Sequence, residues 1–540
     1  MPTCGEVLVE ILENYGIDTL FGIPGVHTVE LYRGLENARI RHVTPRHEQA
    51  AGFMADGYAR ASGKIAACFI ISGPGMTNIA TAMGQALADS IPMLVISSVN
   101  RTHELGLGEG RLHEMTGQRA LVAGVARFSH TLIRADELPK VLARAFATFK
   151  SERPGPVHIE IPIDVITAPA GHLDTQAFAL PSAPAPSPHA INASARLLKA
   201  AERPVIVIGG GAINAAADVV KLAEKLGAPV MNTVNAKGVL PYSHPLAVGG
   251  SASCAALRDE LKSADAVVAV GTEMGETDYD FFFAGPLQIN GKLIRIDIDA
   301  AQLTRNVRAD VAICSDARYA LQALNQALSK QIGETHESRA RNGAARAKRI
   351  RDQLQATRDP DYENFFAAIR EALPDVIIAG DSTQPTYYAW LHYETEKPRR
   401  YFHSASGFGT LGYAIPAAIG AKLAAPHSPV IGLIGDGAAQ FTIGELASAV
   451  DAKVAVIFLI WNNTGYGEIK RFMADRNIPQ IGVDIYTPDF VGLGKAFGCH
   501  AVRASNLHQL KSELVTAAGQ ARPTVIEVMQ DKFAAGYPAL

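Results

Sequence analysis

Two stretches of this sequence put oxygen-bearing side chains where a strand is expected to end. Gly435-Asp436-Gly437 closes the apolar run Val430-Ile431-Gly432-Leu433-Ile434, and Asn462-Asn463 closes the next such run, from Val454 to Trp461. In a parallel sheet that edge is where ligands bind, beside helix N-termini that favour phosphate. Magnesium is satisfied by one or two protein oxygens together with phosphate oxygens. Asp436, the Asn463 side chain and a backbone carbonyl such as that of Gly465 therefore form a candidate metal set. A lone Gly-Asp-Gly is also an ordinary turn, but two oxygen-bearing groups on adjacent strands reach the same sheet edge. Far upstream, Arg46-His47-Glu48-Gln49-Ala50-Ala51-Gly52 sets a glutamate at the head of a small-residue, apolar run. That setting favours burial, and a partly buried carboxylate is suited to proton transfer.

Three stretches of alternating helical and strand-like pattern position these residues. From Thr3 to about Val165, helical periodicity alternates with apolar runs such as Ala66 to Ile71 and Met93 to Ile96, which reads as a parallel sheet covered on both faces. A second such unit opens at Pro204-Val205-Ile206-Val207-Ile208 and includes Ala266 to Gly271 and Leu293 to Asp299, and a third begins near Tyr362. The expected class is α/β, with three doubly wound parallel-sheet domains over residues 1–167, 191–330 and 362–540. A Pro- and Ala-rich linker over 168–190 and a charged, helix-patterned crossing segment over 331–361 separate them.

The chain has 540 residues, 48% of them hydrophobic, enough for three cores of ordinary size. A formal net charge of -3 with scattered basic residues leaves no footprint for nucleic acid or an anionic membrane. Small molecules are the expected partners. The five cysteines are far apart and form no CxxC pair, which argues against a disulfide framework or a zinc site and suits a reducing cytoplasm. Glu6, Glu10 and Glu13 occupy an N-terminus that lacks a basic flank, and no apolar run approaches membrane-spanning length. A soluble, unprocessed chain is expected.

Arg46 to Ala51, Ser72-Gly73-Pro74-Gly75, Gly435-Asp436-Gly437 and Asn462-Asn463 together resemble the thiamine diphosphate-dependent enzymes of the acetolactate synthase, benzoylformate decarboxylase and pyruvate decarboxylase group. The resemblance covers all three domains and implies pyrimidine-binding, central and diphosphate-binding roles for them in turn. It implies thiamine diphosphate and Mg2+ as cofactors, with Glu48 hydrogen-bonded to the aminopyrimidine so that the cofactor's own amine removes the thiazolium proton. It also implies that Pro24, Gly25, Gly75, Asn78, Thr383, Gln384, Gly409, Leu411, Gly435, Asp436, Gly437, Ala438, Asn463, Gly465 and Tyr466 surround the cofactor, Leu411 propping it into its bent form. In this family Glu48's counterpart and the diphosphate site come from different subunits, so a homodimer at minimum, and a homotetramer, is expected. His113, in Leu112-His113-Glu114, stands where acetolactate synthases have a Phe-Gln-Glu segment and is a candidate to protonate the decarboxylated intermediate or hold the substrate carboxylate. A surface-loop histidine is the competing reading.

Members of the group add the cofactor to a 2-oxo acid, release carbon dioxide and differ in what traps the product carbon. This sequence departs from acetolactate synthases at Gly271-Thr272-Glu273-Met274-Gly275, where those enzymes carry an arginine-rich segment contacting FAD, and at Phe472 and Glu468. FAD is not expected. Gly465 to Phe472, continuing through Gly482 to Phe490, resembles bacterial 5-guanidino-2-oxopentanoate (2-oxoarginine) decarboxylases. A guanidinium calls for a carboxylate partner, and Glu468, Glu109 and Glu114 are the acids at hand, Glu468 first. The expected reaction is non-oxidative decarboxylation to 4-guanidinobutanal. The alternatives are an acetolactate-forming carboligase and, outside the family, an NAD-dependent dehydrogenase built on Gly407-Phe408-Gly409-Thr410-Leu411-Gly412.

Overall fold

The computed structural model describes residues 1–329 and 336–535. The boundary expected at 330/331 and the last five residues of the third stretch lie outside the described residues. Two compact units form, one from Met1–Pro181, Ala367–Gln384 and His403–Ala535, the other from Ser182–Phe366 and Pro385–Phe402.

The first unit holds two parallel sheets. Its N-terminal sheet comprises β1 (Thr19–Gly22), β2 (Arg41–Val43), β3 (Ala67–Ile70), β4 (Met93–Val99), β5 (Phe128–Thr131) and β6 (Pro156–Pro162), in the order β2-β1-β3-β4-β6-β5. All seven residues of β4 are buried, as are those of β6. A strand buried on both faces reads as a continuous apolar run, which is why these strands were legible without alternation.

The second unit's sheet comprises β7 (Pro204–Ile208), β8 (Val230–Asn232), β9 (Ala266–Val270), β10 (Lys292–Asp297) and β11 (Val311–Cys314), ordered β11-β10-β9-β7-β8 and wholly parallel. The turn at Gly271-Thr272-Glu273 is pinned by the buried Arg295, whose Nη2 donates to the Glu273 carbonyl at 3.2 Å. The expected linker has no helix or strand from 170 to 187, and Pro188 then opens the helix Pro188–Ala200. Proline suits a first turn because its missing N–H would lack a helical partner anyway. A helix, His336–Ala356, occupies most of the charged crossing segment.

The C-terminal strands of the first unit are β12 (Ile377–Gly380), β13 (Val430–Gly435), β14 (Ile457–Asn462), β15 (His500–Ala504) and β16 (Thr524–Met529), ordered β12-β13-β14-β16-β15. The two sheets of this unit are joined by the helices Glu48–Ser62 and Ala414–Ala424. A Cβ on Gly57 would lie 2.0 Å from the Ala417 carbonyl oxygen, and one on Gly420 would lie 1.9 Å from that of Met54. Only glycine lets the two backbones approach this closely. Below the crossing, Asp56 accepts from Arg60 Nε at 2.6 Å and from the Tyr413 hydroxyl, and Asp89 accepts from Arg60 Nη2 at 2.6 Å. Each buried charge therefore has a partner.

Candidate active site

The Glu48 side of the site is built where β1 and β3 end. Glu48 is the first residue of its helix, half-buried, and every residue from Ala50 to Arg60 behind it is buried. Its Oε2 accepts from Asn78 Nδ2 at 2.9 Å. Gly75 lies against it, with an ideal Cβ only 3.5 Å from Glu48 Cγ and 2.7 Å from Ile71 Cγ2. Gly25 packs on the same Ile71, and its turn is closed by Thr28, whose Oγ1 accepts from Gly25 N–H at 3.0 Å. Pro24 precedes that turn and is exposed. Glu48, Gly75, Asn78 and the Pro24-Gly25 turn are thus neighbours around Ile71. His113 borders them, because a Cβ on Gly73 would lie 2.8 Å from the His113 carbonyl oxygen.

The Asp436 side is built at the ends of β12, β13 and β14. Asp436 opens the helix Asp436–Thr442 and is 1% exposed. Its carboxylate accepts from Asn463 N–H at 3.2 Å and from Thr487 Oγ1 at 3.0 Å, while burial pushes its titration above the ordinary carboxylate range. One end of the Asn463 amide stands 3.0 Å from Asp436 Oδ1 and 2.8 Å from the Gly465 carbonyl oxygen, and with its NH2 group there it donates to both. Turned over, the amide would bring its oxygen together with the carboxylate and the carbonyl as a set of three oxygens. Magnesium at 2.0–2.1 Å in octahedral geometry sets neighbouring oxygens about 3 Å apart. These residues fit the ion. Among the described residues no group of three His, Cys, Asp or Glu side chains could hold a metal, and this set contains a single carboxylate.

Thr383 and Tyr466 close on the Gly435-Asp436-Gly437 turn. Thr383 Oγ1 lies 3.0 Å from an ideal Cβ on Gly435, and the Tyr466 ring comes within 2.7 Å of one on Gly437. The two glycines let Thr383 and Tyr466 close on the Asp436 turn. Gln384 is 1% exposed and its Oε1 accepts from Trp461 Nε1 at 3.0 Å. Ala438 is buried. Gly409, at φ +73°, has open space beside its Cα, and Leu411 is half-buried next to Gly412.

The Gly407 to Gly412 loop does not present a dinucleotide site. The helix it leads into begins at Ala414, whose N–H donates to Asp381 Oδ2 at 2.9 Å, while Gly412 N–H donates to Asp381 Oδ1 at 3.3 Å. A buried carboxylate already occupies the helix N-terminus where a pyrophosphate would sit.

Glu468 lies in the first turn of the helix Gly467–Asp475. Its Oε1 is buried without a hydrogen-bond partner, and Oε2 meets Arg471 Nη2 only at 3.5 Å. Burial raises its titration, partly offset by Arg471 and by a side-chain hydrogen bond from Gln384. The other two acids are spoken for. Glu114 accepts from the Gly108, Glu109 and Arg111 N–H groups, which hold it below its ordinary range, and Glu109 pairs with Arg111 at 2.7 Å.

Three neighbours were not singled out from sequence. Thr487 bonds Asp436, Glu445 accepts twice from Arg46 N–H at 2.9 and 3.1 Å just ahead of Glu48, and His27 lies beside His113. His27 stands two residues after Gly25, and Glu445 nine residues after Asp436, but neither has a local pattern that announces its partner.

Comparison with known proteins identifies the family. Residues 2–121 match the thiamine pyrophosphate enzyme N-terminal TPP binding domain, 191–324 the central domain and 381–528 the C-terminal TPP binding domain. The chain belongs to the thiamine pyrophosphate enzyme family. It is 44% identical over 532 residues to a "probable 2-ketoarginine decarboxylase" of Pseudomonas aeruginosa, covering 97% of this chain and 94% of that one. It is 31% identical over 544 residues to the acetolactate synthase isozyme 3 large subunit of Escherichia coli, covering 97% and 93%. A probable acetolactate synthase large subunit of Methanocaldococcus jannaschii is 30% identical over 551 residues, covering 97% and 91%. No helix among the described residues is long and apolar enough to cross a membrane.

Proposed function

We propose that this enzyme uses thiamine diphosphate and Mg2+ to decarboxylate 5-guanidino-2-oxopentanoate to 4-guanidinobutanal and carbon dioxide. The observation that carries the substrate reading is the buried, unpartnered Oε1 of Glu468 at the Asp436 end of the site. An isolated buried carboxylate oxygen is costly, and a guanidinium satisfies it with a charge-assisted, planar contact. An uncharged 2-oxo acid would leave the carboxylate to Arg471 and Gln384 alone. The name of the Pseudomonas aeruginosa relative points the same way.

Bound thiamine diphosphate supplies the carbon nucleophile and the electron sink that lets carbon dioxide leave. Asp436, Asn463 and the Gly465 carbonyl would hold the ion for its diphosphate, with Thr383, Gln384 and Tyr466 beside them. Glu48, which accepts from Asn78 at 2.9 Å, would meet the pyrimidine nitrogen and favour the tautomer that makes the cofactor's amine a base. Glu48 and Asp436 have no hydrogen bond or ion pair to one another. Exposed Val26, Leu107 and Leu112 near the first half, and exposed Phe441, Ile469 and Phe472 near the second, suit burial against another copy of the chain. The working site in this reading joins Glu48 of one subunit to Asp436 of a second in a homodimer, which pairs further into a homotetramer.

The test is a panel of 2-oxo acids given to protein dialysed against chelator, then to the same protein with thiamine diphosphate and Mg2+ restored. The expected result is cofactor-dependent turnover with 2-oxoarginine preferred over pyruvate. Turnover without the cofactors, or acetolactate from pyruvate as the main product, overturns the proposal.

A further inference from the structure

Decarboxylation of a 2-oxo acid to an aldehyde consumes a proton: RCOCOO⁻ + H⁺ gives RCHO + CO2. The bond to the carboxyl carbon breaks, its electron pair stays with the aldehyde carbon, and a C–H bond forms with a proton from an acid. On the Glu48 side two imidazoles lie together. The rings of His27 and His113 are 5.1 Å apart between centroids, inclined at 41°. Each has a buried Nδ1 with no hydrogen-bond partner.

The backbone holds both rings in place. His113 sits at φ +59°, a conformation that costs a non-glycine residue energy and persists only when its surroundings enforce it. The enforcement is visible in its backbone seated on Gly73 and in Asn100 Nδ2 donating to the Leu112 carbonyl at 3.1 Å. His27 is 8% exposed and lies within the turn that Gly25 and Thr28 close. A buried polar atom without a partner costs free energy unless something else satisfies it. Two such atoms on adjacent rings, one of them on the residue seated against Gly73, mark a place where a reacting group completes the contacts.

We propose that His27 is a positioning residue that acts through His113, so that the pair carries one proton between them and His113 presents it to the carbon that loses carbon dioxide. The inference rests on the decarboxylase reading above. Two imidazolium ions in contact repel one another, so only one ring is charged at a time. Burial, and then the neighbouring His113, hold His27 below its ordinary value, while the Glu104 carboxylate pulls the other way. Glu104 is itself engaged by Arg111 at 2.9 Å and flanked by Arg101 and His103 at 3.7 and 3.9 Å, so most of its charge is answered elsewhere. His27 is therefore the ring less suited to carry the charge.

The test compares holoenzyme carrying His27→Phe, which keeps a ring but no nitrogen, with His27→Asn, which keeps polarity if the ring swap disturbs folding. The expected result is kcat lowered about tenfold, a modest share of what a positioned acid contributes, with KM for the 2-oxo acid little changed. Relieved of its neighbour, His113 holds its proton more firmly, so the limb on which kcat falls with rising pH moves to higher pH. An unchanged kcat and limb, or a loss confined to KM, overturns the proposal. Imidazole titration of His113 by nitrogen-15 NMR gives the answer without turnover. A higher midpoint in His27→Phe supports the coupling, and an unmoved midpoint refutes it even if the wild-type protein decarboxylates no 2-oxo acid.

Discussion

The Asn463 side-chain amide stands 3.0 Å from Asp436 Oδ1, and with its NH2 group on that side it donates to the carboxylate. Turned over, the amide would set its own oxygen beside the carboxylate, the arrangement that a bound cation favours. The Gly465 carbonyl at 2.8 Å completes a triangle. The loop that brings it there needs unusual backbone, with Thr464 at φ +63° and Gly465 at φ +154°. This geometry brings the ends of β13 and β14 together at one edge of the sheet.

Asp436→Asn removes the only charge in that triangle. The concentration of Mg2+ giving half-maximal activity should rise at least tenfold, since altered metal-site groups typically cost about 10–100-fold in affinity or activity. In thermal melts, Mg2+ plus thiamine diphosphate should raise the wild-type midpoint and leave that of the variant nearly unmoved, because only a ligand that binds the native state stabilises it. An unchanged Mg2+ requirement would remove Asp436 from the metal site.

Glu48→Gln retains the shape of the side chain but cannot share its proton in the same way, and activity should fall about 10²–10⁴-fold, the usual worth of a positioned acid or base. If Glu48 and Asp436 of different subunits form one site, mixing Glu48→Gln and Asp436→Asn chains after dissociation and reassembly should recover activity that neither homo-oligomer shows. No recovery from verified mixed oligomers would mean that each chain completes its own site.

Glu468→Gln should raise KM for 2-oxoarginine far more than for an uncharged 2-oxo acid of similar length. Losing a buried charge-assisted bond costs about 1.5–3 kcal/mol, or roughly 10–150-fold. Equal effects on both substrates would separate Glu468 from guanidinium recognition.

Glu445 provides a pH test of folding. Burial pushes its carboxyl up to about 7 against a reference of 4.5, despite hydrogen bonds from Ser448 and the Arg46 and His47 backbone. Between those values the folded chain keeps a proton that the unfolded chain has released. Folding stability from this group is therefore present below pH 4.5 and lost as pH rises towards 7. Glu445→Gln cannot titrate, so its melting temperature should fall less than that of the wild type from pH 5 to pH 8. Parallel curves would show that Glu445 titrates normally.

Much of this site could be read from the sequence because strand ends have a local signature. Gly435-Asp436-Gly437 and Asn462-Asn463 each follow an unbroken apolar run, and their neighbours on the sheet follow from parallel pairing, Ile434 beside Ile460. What could not be read depends on distant partners. Nothing around Gly57 or Gly420 foretells that two helices cross there at backbone contact and merge the first and last stretches into one compact unit. Thr487 is one threonine in a loop until the fold sets it 3.0 Å from Asp436. His27 acquires meaning only from His113, and Glu468, already first of the three acids from sequence, is set apart from Glu109 and Glu114 once a backbone hydrogen bond and an ion pair engage those two.

The most direct test of the account is the product balance from 2-oxoarginine with purified protein, thiamine diphosphate and Mg2+. The account predicts equal molar yields of carbon dioxide and 4-guanidinobutanal with no acetohydroxy acid. Carbon dioxide accompanied by a carboligated product in place of the aldehyde, or no carbon dioxide at all, would contradict it.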